Sequence, residues 1–171
     1  MSDATPARAG QAREDLEMST QGYVAPQPAL PALRRLYAQL APYSYAFVRF
    51  VTGVFIIPHG YTKLFQGVIA GFSATYITRL GLEPALAWGY LVAITEFAGG
   101  IMLALGLLTR FAAAALVIEF AVIVFVVKAG KGYFGFAGGW ELEALYGLLC
   151  LAILFRGGER LSIDSLIGKE L

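Results

Sequence analysis

The chain has 171 residues, 58% of them hydrophobic and only 15% charged, against roughly 45–50% and about 25% in soluble domains. That composition fits an integral membrane protein with one compact domain and excludes an ordinary soluble one. The net charge is +1, with no basic run beyond Arg34-Arg35, which argues against nucleic acid as a partner.

In chain order, residues 1–30 are polar and rich in Pro, Ala and Gln, without a periodic apolar face. Such a stretch cannot bury enough surface to offset its ordering entropy, so a flexible tail is expected. It lacks the apolar core of a secretory signal. Residues 31–42 read as an interfacial amphipathic helix, clearest over Leu33–Leu40, with Tyr37, Tyr43 and Tyr45 suited to the interfacial belt. Residues 43–158 hold four apolar segments. The first runs from about Tyr43 to Phe65, with a kink expected at Pro58. Residues 66–83 predict a short re-entrant or interfacial helix and a turn at Gly81. Pro84 opens the second segment, which runs to about Leu108, and Gly99-Gly100 would let a neighbouring helix approach closely. Thr109-Arg110 predicts a tight turn. The third segment, Phe111 to about Val127, is near the minimum span of about 17 residues. A Gly-rich aromatic loop, Lys128–Gly139, leads to the fourth, Trp140 to about Phe155. Residues 159–171 read as a cytoplasmic tail with a short amphipathic piece.

The predicted fold is therefore all-α: an integral membrane bundle of four transmembrane helices with short amphipathic helices. Short connections imply antiparallel neighbours. Four spans put both termini on one side. Eight Arg and Lys residues fall on that side and four on the other, which predicts cytoplasmic termini and a bacterial-type inner membrane.

The first segment carries an unusual stripe. Arg49, Thr52, Ile56, His59 and Lys63 are spaced by three and four residues, so all five share one helix face. Cations inside a membrane are costly and should face a protein interior or a watery pocket. Acidic partners are available. Glu96 and Glu119 lie mid-segment, and Glu141 and Glu143 open the fourth segment. By depth alone, Arg49 would meet Glu96 or Glu119, and Lys63 or His59 would meet Glu141 or Glu143. Two readings stand side by side. Buried ion pairs can simply fix helix register, and a buried Glu119 can be neutral and hydrogen-bonded. Alternatively, His59, Lys63 and Glu96 line a polar intramembrane pocket for the head of an amphiphile such as a quinone, whose carbonyls need donors.

Other chemistry fits poorly. His59 is the only histidine, so bis-His haem ligation and a multi-His metal centre lack ligands, and no metal site is expected. Cys150 reads as a small core or lipid-facing residue. P-loop, dinucleotide and nucleophile-triad patterns are missing. No intrinsic redox cofactor is expected; a quinone is the ligand that such a pocket would suit.

Three pieces carry a family resemblance: FIIPHGYTKLF around His59 and Lys63, EFAGGIMLALGLLTRFAAAAL from Glu96, and the ending GGERLSIDSLI. Their order and spacing, over about Phe50–Leu166, resemble DoxX/DoxD-like membrane proteins. The resemblance implies a four-helix membrane protein. Some relatives are subunits linked to thiosulfate:quinone oxidoreduction, and others associate with membrane redox complexes. By position, the resemblance carries over His59, Lys63, Glu96, Arg110 and Asp164, the last two as a cytoplasmic-side pair. Glu119 and the long amino-terminal stretch depart from the pattern. The expected function is a subunit of, or accessory to, a quinone-linked oxidoreductase complex, with the lipid bilayer and other subunits, or further copies of itself, as partners. The alternatives are a structural or assembly subunit without its own chemistry, or a small-molecule or proton transporter.

Overall fold

The computed structural model describes residues 30–168, so most of the expected tail over residues 1–30 lies outside it. The chain divides after Leu40 into two compact units. The described part of the first is the start of helix α1, where Leu36, Tyr37 and Leu40 are exposed.

Helix α1, Pro31–Phe65, is a single run of 35 residues. The separate interfacial helix expected over 31–42 is instead its opening turns. The sequence LRRLYAQLA is built from strong helix formers, and the helix continues through both Pro42 and Pro58. A proline removes one backbone donor each time, a local loss that a long helix tolerates.

After α1 comes α2, Ile69–Phe72, which continues as a π-helical turn over Ser73–Ile77 and a 3-10 turn over Thr78–Leu80. It ends at Gly81 in the left-handed conformation, as the sequence predicted. Helix α3, Ala85–Leu105, is closed by left-handed Gly106. The next helix starts at Thr109, so the turn is Gly106–Leu108 rather than Thr109-Arg110. Helix α4, Thr109–Val122, extends through a π-helical turn at Ile123–Val127. The loop after it contains a 3-10 turn, Gly135–Ala137, and leads to α5, Glu141–Arg156. A last short helix, α6, Ile163–Ile167, lies where a free tail was expected.

Among the described residues the fold is all-helical, and three helices are long and apolar enough to cross a membrane: α1, α3, and α4 with its π-helical extension. Helix α5 has 16 residues and is shorter than these.

The core joins α1, α3, α4 and α5 through Ile56, Leu103, Ala112, Ala113, Leu116, Phe120, Cys150 and Ile153. Helices α1 and α3 touch through small residues. A Cβ on Gly53 would overlap the Gly100 carbonyl, and one on Gly60 would lie 2.6 Å from the Ala93 carbonyl. The contacts move toward the start of α3 as α1 advances, which is antiparallel packing. This backbone approach sets the depth at which polar groups on the two helices can meet.

Candidate functional site

Lys63 lies one turn after His59 on α1, and the small-residue seam holds that face against α3. There the Lys63 ammonium pairs with the Glu96 carboxylate. Glu96 is buried on α3, and the side chain of Lys63 is 13% exposed. The ammonium also lies 4.9 Å from the centre of the Phe72 ring and reaches the His59 carbonyl at 3.4 Å. His59 itself is exposed. Beside the pair, the Tyr61, Phe65 and Phe97 rings form a contiguous aromatic face with centroids 5.1–6.4 Å apart. Tyr61 and Phe65 are exposed.

Glu119 lies on α4 within electrostatic range of this pair. Its two carboxyl oxygens are buried and accept no hydrogen bond from the described residues. Cys150 on α5 is fully buried and lies in electrostatic range of Glu119, which makes it a core residue rather than a lipid-facing one. Each of the four long helices thus sends one titratable group to the same interior region.

The depth-based pairings fail for a simple reason: the antiparallel seam sets different levels. Lys63 meets Glu96, not Glu141 or Glu143. Arg49, one of the most buried charges, reaches neither Glu96 nor Glu119. Its guanidinium donates to the carbonyls of Leu103 (2.8 Å), Ala104 (3.3 Å) and Leu161 (2.5 Å). The first two belong to the last turn of α3, where the Leu103 carbonyl also accepts from the Gly106 amide at 3.2 Å. A cation there also opposes the negative end of the helix dipole.

Asp164 does the converse at the start of α4. Its carboxylate accepts from the Leu108 amide (2.7 Å), the Thr109 amide (2.8 Å) and the Thr109 hydroxyl (2.6 Å). Its own amide donates to the Gly106 carbonyl at 2.9 Å. Burial alone would raise its pKa, but the hydrogen bonds from Thr109 and Leu108, helped by the nearby Arg49 charge, hold it below the usual carboxylate range. Arg110 turns to the end of α5 and donates to the carbonyls of Leu154 (2.8 Å) and Phe155 (3.0 Å). The Arg110 and Asp164 side chains therefore serve two different helix ends. The Tyr45 hydroxyl donates to the Gly157 carbonyl just beyond α5. Ser162 caps α6 by accepting from the Ser165 amide at 3.1 Å.

At the opposite end of the bundle, Lys128 pairs with Glu143 at 2.7 Å and donates to the Gly139 carbonyl at 2.9 Å. Glu141 accepts from the Gly135 amide at 3.0 Å. Both glutamates therefore fasten the aromatic loop.

The DoxX family profile matches residues 44–129, half of the chain. The chain belongs to the DoxX family. Relatives extend the likeness beyond that span. An uncharacterized protein of Haemophilus influenzae is 36% identical over 132 residues, covering 75% of this chain and 94% of the relative. An uncharacterized membrane protein of Mycobacterium tuberculosis is 29% identical over 154 residues, covering 83% of this chain and 92% of the relative. No solved structure matches significantly. This DoxX protein is accordingly a multi-pass membrane protein with bacterial relatives.

Its three motif pieces separate into two kinds of site. The segment around His59 and Lys63, with Glu96, builds an interior polar cluster. The LGLLTR turn and the closing segment build a junction of capped helix ends. Gly106 is essential to that junction: its φ is +68°, and a Cβ there would collide with Arg49 and Ser162. Sequence reasoning missed Thr109, Tyr45 and Ser162 as junction members and Phe72 as the ring against Lys63. Ser162 had a signal, as a hydroxyl residue just before a short helical segment, and Thr109 lay within the turn motif.

Proposed function

We propose that this DoxX protein is a subunit of, or accessory to, a quinone-linked redox complex of the bacterial inner membrane, and that it holds the quinone head beside His59, Lys63 and Glu96. The observation that carries the reading is the placement of Lys63. Its ammonium is largely buried between apolar helices, at the edge of the aromatic face formed by Tyr61, Phe65 and Phe97. A quinone head wants donors for its carbonyls and flat apolar surface for its ring. His59, exposed one turn away, supplies a second donor on the lipid-accessible side. In this reading the electrons come from a partner subunit. In this reading α5 is a fourth, short span and both termini are cytoplasmic.

The closed Lys63–Glu96 pair favours a second reading, a structural or assembly subunit in which the charges only fix the bundle. Purification in mild detergent separates the two, with extracted quinone and co-eluting proteins measured by mass spectrometry. The first reading expects about one quinone per site and a co-eluting redox enzyme, with the quinone lost from a folded His59→Ala variant. A complex without quinone, or unchanged quinone in His59→Ala, rejects the site and leaves the structural reading.

A further inference from the structure

The loop between α4 and α5 carries its aromatic side chains outward, although its backbone is held from both helices. At its start the Lys128 ammonium donates to the Gly139 carbonyl at 2.9 Å and pairs with Glu143 at 2.7 Å. At its end the Trp140 and Glu141 amides donate to the carbonyls of Gly132 and Tyr133 at 3.2 and 3.0 Å. Gly139 permits that closure, since a Cβ there would lie 2.5 Å from the Tyr133 carbonyl. The Glu141 carboxylate accepts from the Gly135 amide at 3.0 Å, which fixes the start of the 3-10 turn Gly135–Ala137. A loop fastened at so many points has little freedom to fold its side chains inward. Phe134 and Phe136 stand together at its tip with ring centroids 5.4 Å apart, and Phe136 is 90% exposed.

Exposed phenylalanines on a fastened tip call for an apolar neighbour. Their level identifies it. Lys128 directly follows the π-helical end of α4, a segment long and apolar enough to cross a membrane. The loop therefore emerges at the boundary of the hydrocarbon. It leads into α5, whose 16 residues reach only about 24 Å across a layer of about 30 Å. Apolar side chains just beyond that short helix extend its apolar surface toward the headgroups. Charge agrees with this placement. Residues 128–139 include two lysines and no Asp or Glu. Lys128 is paired with Glu143, while Lys131, 5.8 Å from the centre of the Tyr76 ring, stays exposed to meet phosphate. Tyr133 and Trp140, in edge contact with centroids 5.1 Å apart, are the residue types that favour the membrane interface. We propose that the Phe134–Phe136 tip is a membrane anchor that inserts into the phospholipid leaflet on this side of the bilayer, between headgroups and acyl chains. The insertion requires α4 to cross; it depends neither on a bound quinone nor on a partner subunit.

Spin-label spectroscopy of the full chain in liposomes of phosphatidylethanolamine and phosphatidylglycerol tests it. In a Cys150→Ala background, a nitroxide is attached at Phe136→Cys. The aqueous reference is Gly130→Cys, where a Cβ meets nothing within 4 Å. Power saturation is measured with oxygen, which concentrates among acyl chains, and with a water-soluble nickel chelate. The expected result is a higher oxygen-to-nickel accessibility ratio at 136 than at 130, placing 136 below the phosphates. A label at 136 as open to nickel as the one at 130 overturns the proposal. So does a label shielded from both reagents, which means that another part of the chain or a second copy covers the tip. Should the labelled variant not elute monodisperse and helical, the wild-type protein is irradiated in liposomes containing a phospholipid with a photoreactive group at the top of its acyl chain. Adducts on Phe134 or Phe136 then support the anchor. Adducts on the membrane-spanning helices but none on residues 133–137 overturn it.

Discussion

A single carboxylate, Asp164, accepts from three donors at the start of α4. Removing it leaves two amides and a hydroxyl without their acceptor. At about 1–3 kcal/mol for a buried unsatisfied group, Asp164→Ala should cost several kcal/mol and lower the melting temperature sharply. Asp164→Asn retains one acceptor oxygen and should cost less. Its pH dependence is the more selective test. The folded protein holds this carboxyl below its ordinary range, so it stays ionised further into acid than in the unfolded chain. Its stabilisation is therefore complete above the unfolded value of about 4 and vanishes as pH falls through the folded value. Melting temperatures of wild type and Asp164→Asn should differ most at neutral pH and converge below about pH 4. A constant gap across that range would contradict the assignment. His59 is the contrasting residue. It is exposed, so His59→Ala should shift stability by no more than about 0.5 kcal/mol, and any loss of bound quinone would reflect binding rather than folding.

At the scale of elements, α1 and α3 are held by a seam of small residues with an ion pair at one end and Arg49 at the other. The pair and the seam should be separable by mutation. Lys63→Met leaves Glu96 buried without its cation, which typically costs about 3–5 kcal/mol. Glu96→Met strands Lys63 similarly. The double variant replaces both charges by apolar chains and should recover most of the loss, giving a strong coupling in a thermal-unfolding cycle. Additive losses would mean that the two side chains do not meet in the membrane. Gly60→Ala attacks the seam directly, because its Cβ would press on the backbone of Ala93 and Phe97. The cost should reach or exceed the roughly 1–3 kcal/mol of ordinary overpacking, since backbone cannot step aside as a side chain can. The existence of the apolar helices and the role of Gly100 as a close-approach point were legible in the sequence, because composition and residue size act locally, whereas a Cβ at Gly99 would meet Leu116 only at ordinary contact distance. The joining of residues 31–42 to α1 was not legible, because an amphipathic pattern and interfacial tyrosines suggested a separate surface helix that helix propensity carried into α1. Charge pairing was least legible. Lys63 and Glu96 were recognised as interior groups, but which charges meet depends on the register of two helices, and no single segment encodes that. Arg49, Arg110 and Asp164 were misjudged for a related reason. Their partners are mostly backbone groups at helix ends, and those leave no mark in the side-chain sequence.

For the whole molecule, the decisive quantity is the length of α5. Its 16 residues extend only about 24 Å at 1.5 Å per residue, against a hydrocarbon thickness of about 30 Å. Yet it packs into the core through Cys150 and Ile153, between the partly buried Trp140 at its start and Arg156 at its end. A short helix so anchored can still cross by local thinning of the bilayer and by extension of its flanking side chains. The capped junction supports the crossing. Arg110 binds the end of α5 at the start of α4, so the loop over residues 128–139 and the segment after Arg156 lie at opposite ends of these two packed helices. Site-directed labelling distinguishes crossing from surface attachment. Cys150 is first changed to Ala, which empties little volume. Gly130→Cys is then a suitable loop probe, since a Cβ there meets nothing within 4 Å. Leu166→Cys probes the other end, where Leu166 is 85% exposed. In intact cells, a membrane-impermeant maleimide should label Gly130→Cys and spare Leu166→Cys until the membrane is opened. Labelling of both from outside would mean that α5 does not cross. The reverse pattern would keep the crossing but place the carboxyl-terminal segment outside, against the distribution of arginine and lysine.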